Sequence, residues 1–90
     1  MTKKELVKKV SAQTGVDRAL VQRVTEAAMA AVRESIQEGE AVSLRGFGTF
    51  ERKHRASKAA RDMKAGRMMM VAAHDVPHFR PCREFKDSLL

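Results

Sequence analysis

Tryptophan and tyrosine are absent from these 90 residues, so bulky ring packing falls to four phenylalanines, Phe47, Phe50, Phe79 and Phe85. Cysteine occurs once, at Cys82, which excludes an internal disulfide and fits a reducing compartment. No run of 18 apolar residues is present, so no membrane-crossing helix is expected. Met1-Thr2-Lys3-Lys4-Glu5 leads into charged residues rather than the apolar core of an export signal, and the expected location is the cytosol. A chain this short buries a limited core, and without staples the usual remedy is association. A dimer is expected on that ground alone.

Catalytic patterns are also missing. There is no nucleophile elbow, no phosphate-binding glycine loop and no paired-carboxylate pattern. Arg45-Gly46-Phe47-Gly48 lacks the third glycine and following helix of a nucleotide loop, and its use is read as structural, with bare amides able to touch a phosphate. His74, His78 and Cys82 are four apart, but Pro77 and Pro81 interrupt any helix that would align them, and no fourth ligand is evident. Cys82 reads instead as a small packed residue. The chain is expected to be no enzyme, with no cofactor, metal or small-molecule substrate.

What the chain has is positive charge, unevenly placed. Residues 1–51 hold eight Lys/Arg and seven Asp/Glu, whereas residues 52–90 hold ten and four. Within 52–67, Arg52, Lys53, Arg55, Lys58, Arg61, Lys64 and Arg67 face one acid, Asp62. Scattered charge reads as a solvated surface, but a block this dense repels itself unless a polyanion meets it. A balanced body with a basic arm is the pattern of a nucleic-acid binder.

Local patterns give the element order. Thr2-Lys3-Lys4-Glu5 matches a capping box, Leu6, Val7 and Val10 follow at helical spacing, and Gly15 supplies a stop. Asp17 can cap a second helix running to about Glu38 and ended by Gly39. Its stripe of Leu20, Val21, Val24, Ala27, Ala28, Ala31, Val32 and Ile36 is wider and longer than the first helix can cover, which again implies a second copy. The period then changes. Val42 and Leu44 alternate as in a strand, Gly46-Phe47-Gly48 turns the chain, and a bulge is expected to bring Phe47 and Phe50 to one side. Residues 51–67 offer no large apolar residue but Met63 and predict two strands joined near Asp62–Gly66, with Gly66 taking a positive φ. Met68, Met69, Met70 and Val71 begin the return strand, and Val76, Pro77 and Phe79 re-enter the body. Pro81 is expected in the first turn of a last helix that carries Phe85 and Leu89 inward and Arg83 and Lys86 outward. The fold class is α+β: ααβ, then a ββ arm, then α.

Gly46-Phe47-Gly48-Thr49-Phe50-Glu51, the basic arm, and Val76-Pro77-x-Phe79 followed by Lys86-Asp87 together resemble the HU/IHF family of bacterial nucleoid-associated proteins, over essentially the whole chain. The resemblance implies an intertwined homodimer whose β-ribbon arms embrace double-stranded DNA through phosphates and the minor groove. It implies a single domain, with a dimerisation body at 1–50, an arm at 51–75 and a return with the last helix at 76–90. Lys53, Arg55, Lys58 and Arg61 would lie along the arm's DNA-facing surface, continued by Lys64 and Arg67. Arg45 and Gly46 would sit near phosphates under the saddle, with Lys3, Arg80, Arg83 and Lys86 on the flank. The family's arm tip usually reads Arg-Asn-Pro, whereas here it reads Arg61-Asp62-Met63. A rigid wedge has become a flexible thioether beside an acid, so Met63 is the candidate wedge and weaker bending is expected.

The implied function is architectural DNA binding, largely without sequence specificity, that organises the bacterial nucleoid. The alternative is a basic module that grips RNA or an acidic protein. The charge block alone does not separate the two, whereas the collinear resemblance favours DNA.

Overall fold

The computed structural model describes residues 1–62, 64 and 66–90, with Asp62 described by its backbone alone. Helix α1, Lys3–Thr14, begins where the Thr2 side chain accepts from the Glu5 amide at 3.2 Å. It ends at Gly15, whose φ of 73° lets its amide turn back to the Ser11 carbonyl. Helix α2, Arg18–Gln37, follows Asp17, whose carboxylate accepts from the Ala19 amide at 3.2 Å. Past its C-terminus Gly39 and Glu40 donate to the Ile36 and Ser35 carbonyls, which satisfies acceptors the helix leaves open.

The chain divides into two compact units, Met1–Glu34 and Ser35–Leu90. In the helical unit α1 and α2 bury one valine each, Val7 and Val21. Leu20, Val24 and Met29 on α2 remain 50–59% exposed. The cause is length: 20 residues of helix span about 30 Å, and the 12 of α1 span only about 18 Å. The apolar stripe is formed as the sequence predicts, and one chain leaves much of it open.

In the second unit, strands β1 (Val42–Leu44), β2 (Gly48–Arg55) and β5 (His74–Pro81) form an antiparallel sheet in the order β1-β2-β5. Strands β3 (Lys58–Asp62) and β4 (Arg67–Val71) form a separate two-stranded ribbon. The expected pair of long strands is therefore interrupted on both sides, at Ala56-Ser57 and at Ala72-Ala73. These small residues offer little cross-strand packing. Arg55 pairs with His74 before the break and Lys58 with Val71 after it, so both strands lose two residues and the register is unchanged.

The four phenylalanines meet as predicted, but without a bulge. Leu44 pairs with Gly48, and the Phe47 amide donates to the Leu44 carbonyl across a tight turn. Phe47 is thus a turn residue, free of strand parity, and Gly46 carries the positive φ of 82° that a type II turn needs at its third position. Ring centroids of Phe47–Phe79, Phe50–Phe79 and Phe47–Phe85 lie 5.1, 4.8 and 5.5 Å apart, the spacing of tilted aromatic packing.

Helix α3, Arg83–Asp87, differs from expectation at both ends. Pro81 is the last residue of β5, and Cys82 is the cap, its Sγ accepting from the Phe85 amide at 3.4 Å. The ladder with Gly48 holds Pro81 extended, which displaces the helix start by two residues, to Arg83. Leu89 does not point inward: α3 stops at Asp87, and Leu89 is 80% exposed.

Candidate nucleic-acid interface

Strand pairing decides which cations share a face. In the β2–β5 ladder Lys53 and Arg55 lie on one face with Val76 and His74, opposite-numbered partners across the strands. Arg52 and His54 take the other face, and there Asp75 collects both: Arg52 Nε donates to Oδ2 at 2.8 Å and His54 Nδ1 meets Oδ1 at 2.8 Å. Arg52 also donates to the Gln37 carbonyl at 3.2 Å. The His54 hydrogen bond, the largest influence, outweighs desolvation, and with the smaller help of the Arg52 hydrogen bond and charge it holds the Asp75 carboxyl below its ordinary value. One cation of the basic block therefore ties the root of the arm to the end of α2.

On the distal ribbon Arg61 and Ala59 share a face with Met68 and Met70, while Lys58 and Ala60 share the other with Met69, Val71 and Arg67. Among the described residues the acid–base pairs are those of Lys3, Arg52, His54, Arg80 and Arg83. Lys53, Arg55, Lys58, Arg61 and Arg67 enter none of them, and all five are exposed. Lys64 is exposed near the tip, and Gly66 takes the expected positive φ of 63°. Met63, the candidate wedge, lies outside the described residues.

The remaining candidates are placed as follows. Arg45 and Gly46 form the β1–β2 turn, where Arg45 is exposed and a Cβ on Gly46 would meet open space. Arg80 on β5 reaches Glu51 at 3.8 Å, and Arg83 on α3 reaches Asp87 at 3.7 Å, with Lys86 exposed on the same short helix. Such surface pairs exchange readily for a phosphate because each contributes little. Lys3 belongs to the helical unit, where its Nζ bonds Glu26 at 2.9 Å. That bond, assisted by Gln22, lowers the Glu26 carboxyl from its ordinary value. Sequence reasoning overlooked the neighbours of Lys3: it lines a cleft of about 610 Å³ with Lys4, Lys8 and Arg18. Lys4 and Lys8, four apart along α1, were a legible signal.

His74 and His78 sit on a strand, where four residues span roughly 13 Å, too far to converge on one ion. Among the described residues no helix is long and apolar enough to cross a membrane.

The family model described as bacterial DNA-binding protein matches residues 1–90. The DNA-binding protein HU-beta of Escherichia coli K12 is 38% identical over 89 residues, covering 99% of both chains. The DNA-binding protein HU of Xylella fastidiosa Temecula1 is 35% identical, covering 99% of this chain and 95% of that one. Among solved structures, an Anabaena HU–DNA cocrystal structure superposes with a TM-score of 0.93 at 31% identity, over 99% of this chain and 97% of that one. HU from Thermotoga maritima shares the fold with a TM-score of 0.71 at 23% identity, over the whole of both chains. With its ααβ order, its two-stranded basic ribbon and these full-length relatives, the chain belongs to the HU family of bacterial DNA-binding proteins.

Proposed function

We propose that this protein is a non-enzymatic, architectural binder of double-stranded DNA, working as a homodimer in the bacterial nucleoid. The observation that carries the reading is the pairing pattern of the arm: its distal ribbon presents Arg61 on one face and Lys58 and Arg67 on the other, and these three are exposed and enter no ion pair among the described residues. A ribbon charged on both sides suits a groove bordered by phosphates on either side. Lys53, Arg55, Lys58, Arg61, Lys64 and Arg67 supply the arm's contacts, with Met63 at the tip. Arg45 and Gly46 meet phosphates under the saddle, and Lys3, Arg80, Arg83 and Lys86 meet them along the flank.

The second copy is called for by α2, whose exposed Leu20, Val24 and Met29 need a cover that α1 is too short to give. Residues 1–50 then serve as dimerisation body, 51–75 as arm and 76–90 as the return. The related HU–DNA cocrystal supports DNA over RNA or an acidic protein as the polyanion. Binding to intact, nicked and four-way-junction DNA across a salt series tests the proposal, with duplex RNA and an acidic protein as competitors. Affinity for DNA should fall with salt at a log–log slope of roughly −0.9 per phosphate met. Preference for RNA or for the acidic protein at equal salt would overturn it.

A further inference from the structure

Strand β4 carries three consecutive methionines, and among the described residues it pairs with β3 alone, in a two-stranded ribbon. Met68, Met69 and Met70 are accordingly 64%, 49% and 68% exposed. Alternation puts Met68 and Met70 on the face of Arg61, and Met69 on the face of Lys58 and Arg67. Thioethers thus stand beside cations on both faces of the arm. We propose that Met68, Met69 and Met70 form an oxidation-sensitive strip, at which a peroxide converts thioethers to sulfoxides and weakens the hold on DNA. The proposal rests on the DNA-binding reading above.

The chemistry balances with a peroxide as sole oxidant. A methionine sulfur gives an electron pair to one peroxide oxygen, the O–O bond breaks, and that oxygen's proton passes to the departing oxygen. Sulfur is oxidised by two electrons to the sulfoxide, and the peroxide is reduced to water or an alcohol. Exposure orders the targets, Met68 and Met70 before Met69, which lies across from half-buried Ala60. The Cys82 thiol is a poorer target, being half-buried with its sulfur engaged by the Phe85 amide.

The consequence for binding follows from register. Arg61 stands directly across from Met68, and facing pairs in an antiparallel ladder have Cβ atoms about 4.5–5.5 Å apart. A sulfoxide oxygen at Met68 is a strong acceptor within reach of the Arg61 guanidinium, so it competes with phosphate for the same N–H groups. At Met69 and Met70 it sets a polar acceptor on a surface that approaches acceptors.

The test uses the full chain carrying Met63→Leu, which removes the tip methionine from the comparison. After hydrogen peroxide treatment, peptide mass mapping should find oxygen at Met68 and Met70 ahead of Met69. Loss of one charge-assisted hydrogen bond per arm should weaken duplex affinity at fixed low salt by at least about fivefold. Methionine sulfoxide reductase should restore it. The further variant Met68→Leu/Met69→Leu/Met70→Leu, of nearly conserved volume, should bind like the untreated protein and keep its affinity through peroxide. Unchanged affinity after oxidation of the three residues, or an equal loss in the triple-leucine variant, overturns the strip. Failure of untreated protein to bind duplex DNA would instead sink the DNA reading itself, and the strip with it.

Discussion

Gly48 lies against Phe79 so closely that a Cβ added to it would sit 2.6 Å from the phenyl ring and equally near the Arg80 carbonyl oxygen. The close approach lets β2 and β5 close over the phenylalanine cluster. Gly48→Ala should therefore force strands or ring apart and destabilise the fold by about 1–3 kcal/mol. Urea unfolding at fixed protein concentration measures this, and a loss near zero would mean that the strands shift freely.

Asp75 gives a pH-dependent prediction. Its folded pKa is lowered from the ordinary 3.8, so its contribution to stability is present above that value and lost as pH falls through the lower, folded one. The stability difference between wild type and Asp75→Asn should be full above pH 3.8 and shrink below it. A difference that persists unchanged in acid would show that the carboxylate charge is not what holds Arg52 and His54.

Arginines three apart in sequence should behave differently. Arg52 is committed to Asp75 and Gln37, and Arg55 enters no ion pair among the described residues. Arg52→Ala should lower stability and leave the salt slope of DNA binding nearly unchanged. Arg55→Ala with Arg61→Ala should leave stability alone and flatten the slope by roughly 0.9 for each phosphate no longer met. Titrations over a salt series separate the two, and identical slopes in all three proteins would contradict the assignment.

Val24 tests the dimer. At 59% exposure in a single chain, Val24→Lys would be nearly neutral to a monomer. In a dimer closed over α2 it should lower the unfolding midpoint and make association weaker, while the wild-type midpoint rises with protein concentration. Sedimentation of a folded wild-type monomer at micromolar concentration would refute the dimer.

The proposed wedge at Met63 gives a bending test. A methionine wedge must give up side-chain freedom that a proline does not have. Met63→Pro should increase the bend measured by energy transfer between dyes on the DNA ends. Met63→Ala should keep intact-duplex affinity within about tenfold while reducing preference for nicked DNA. Loss of all duplex binding in Met63→Ala would make insertion essential.

Helix bounds were legible because their signals are local: Thr2, Asp17, Gly15 and Gly39 act on amides and carbonyls within a few residues. The basic arm was legible as composition. The interruption at Ala56-Ser57 and Ala72-Ala73 was not, because it takes two short sequences, 16 residues apart, failing to pair at the same place. Nor was the commitment of Arg52, since Asp75 becomes its neighbour only through the β2–β5 register. Leu89 was misread because helical periodicity was extended past the point where α3 ends.

That interruption has a mechanical meaning. Since both strands skip the same two residues, the distal ribbon is joined to the sheet by two tethers of equal length. Rotation about the line through the tethers breaks no ladder hydrogen bond and shortens neither strand relative to the other. The five residues of β3 reach about 17 Å beyond it, so a swing of roughly 30° carries the far end about 8 Å sideways. Distances between spin labels from the end of β3 to the body should accordingly spread more widely than distances across either ladder. One set of side chains can then follow a straight duplex or a curved one.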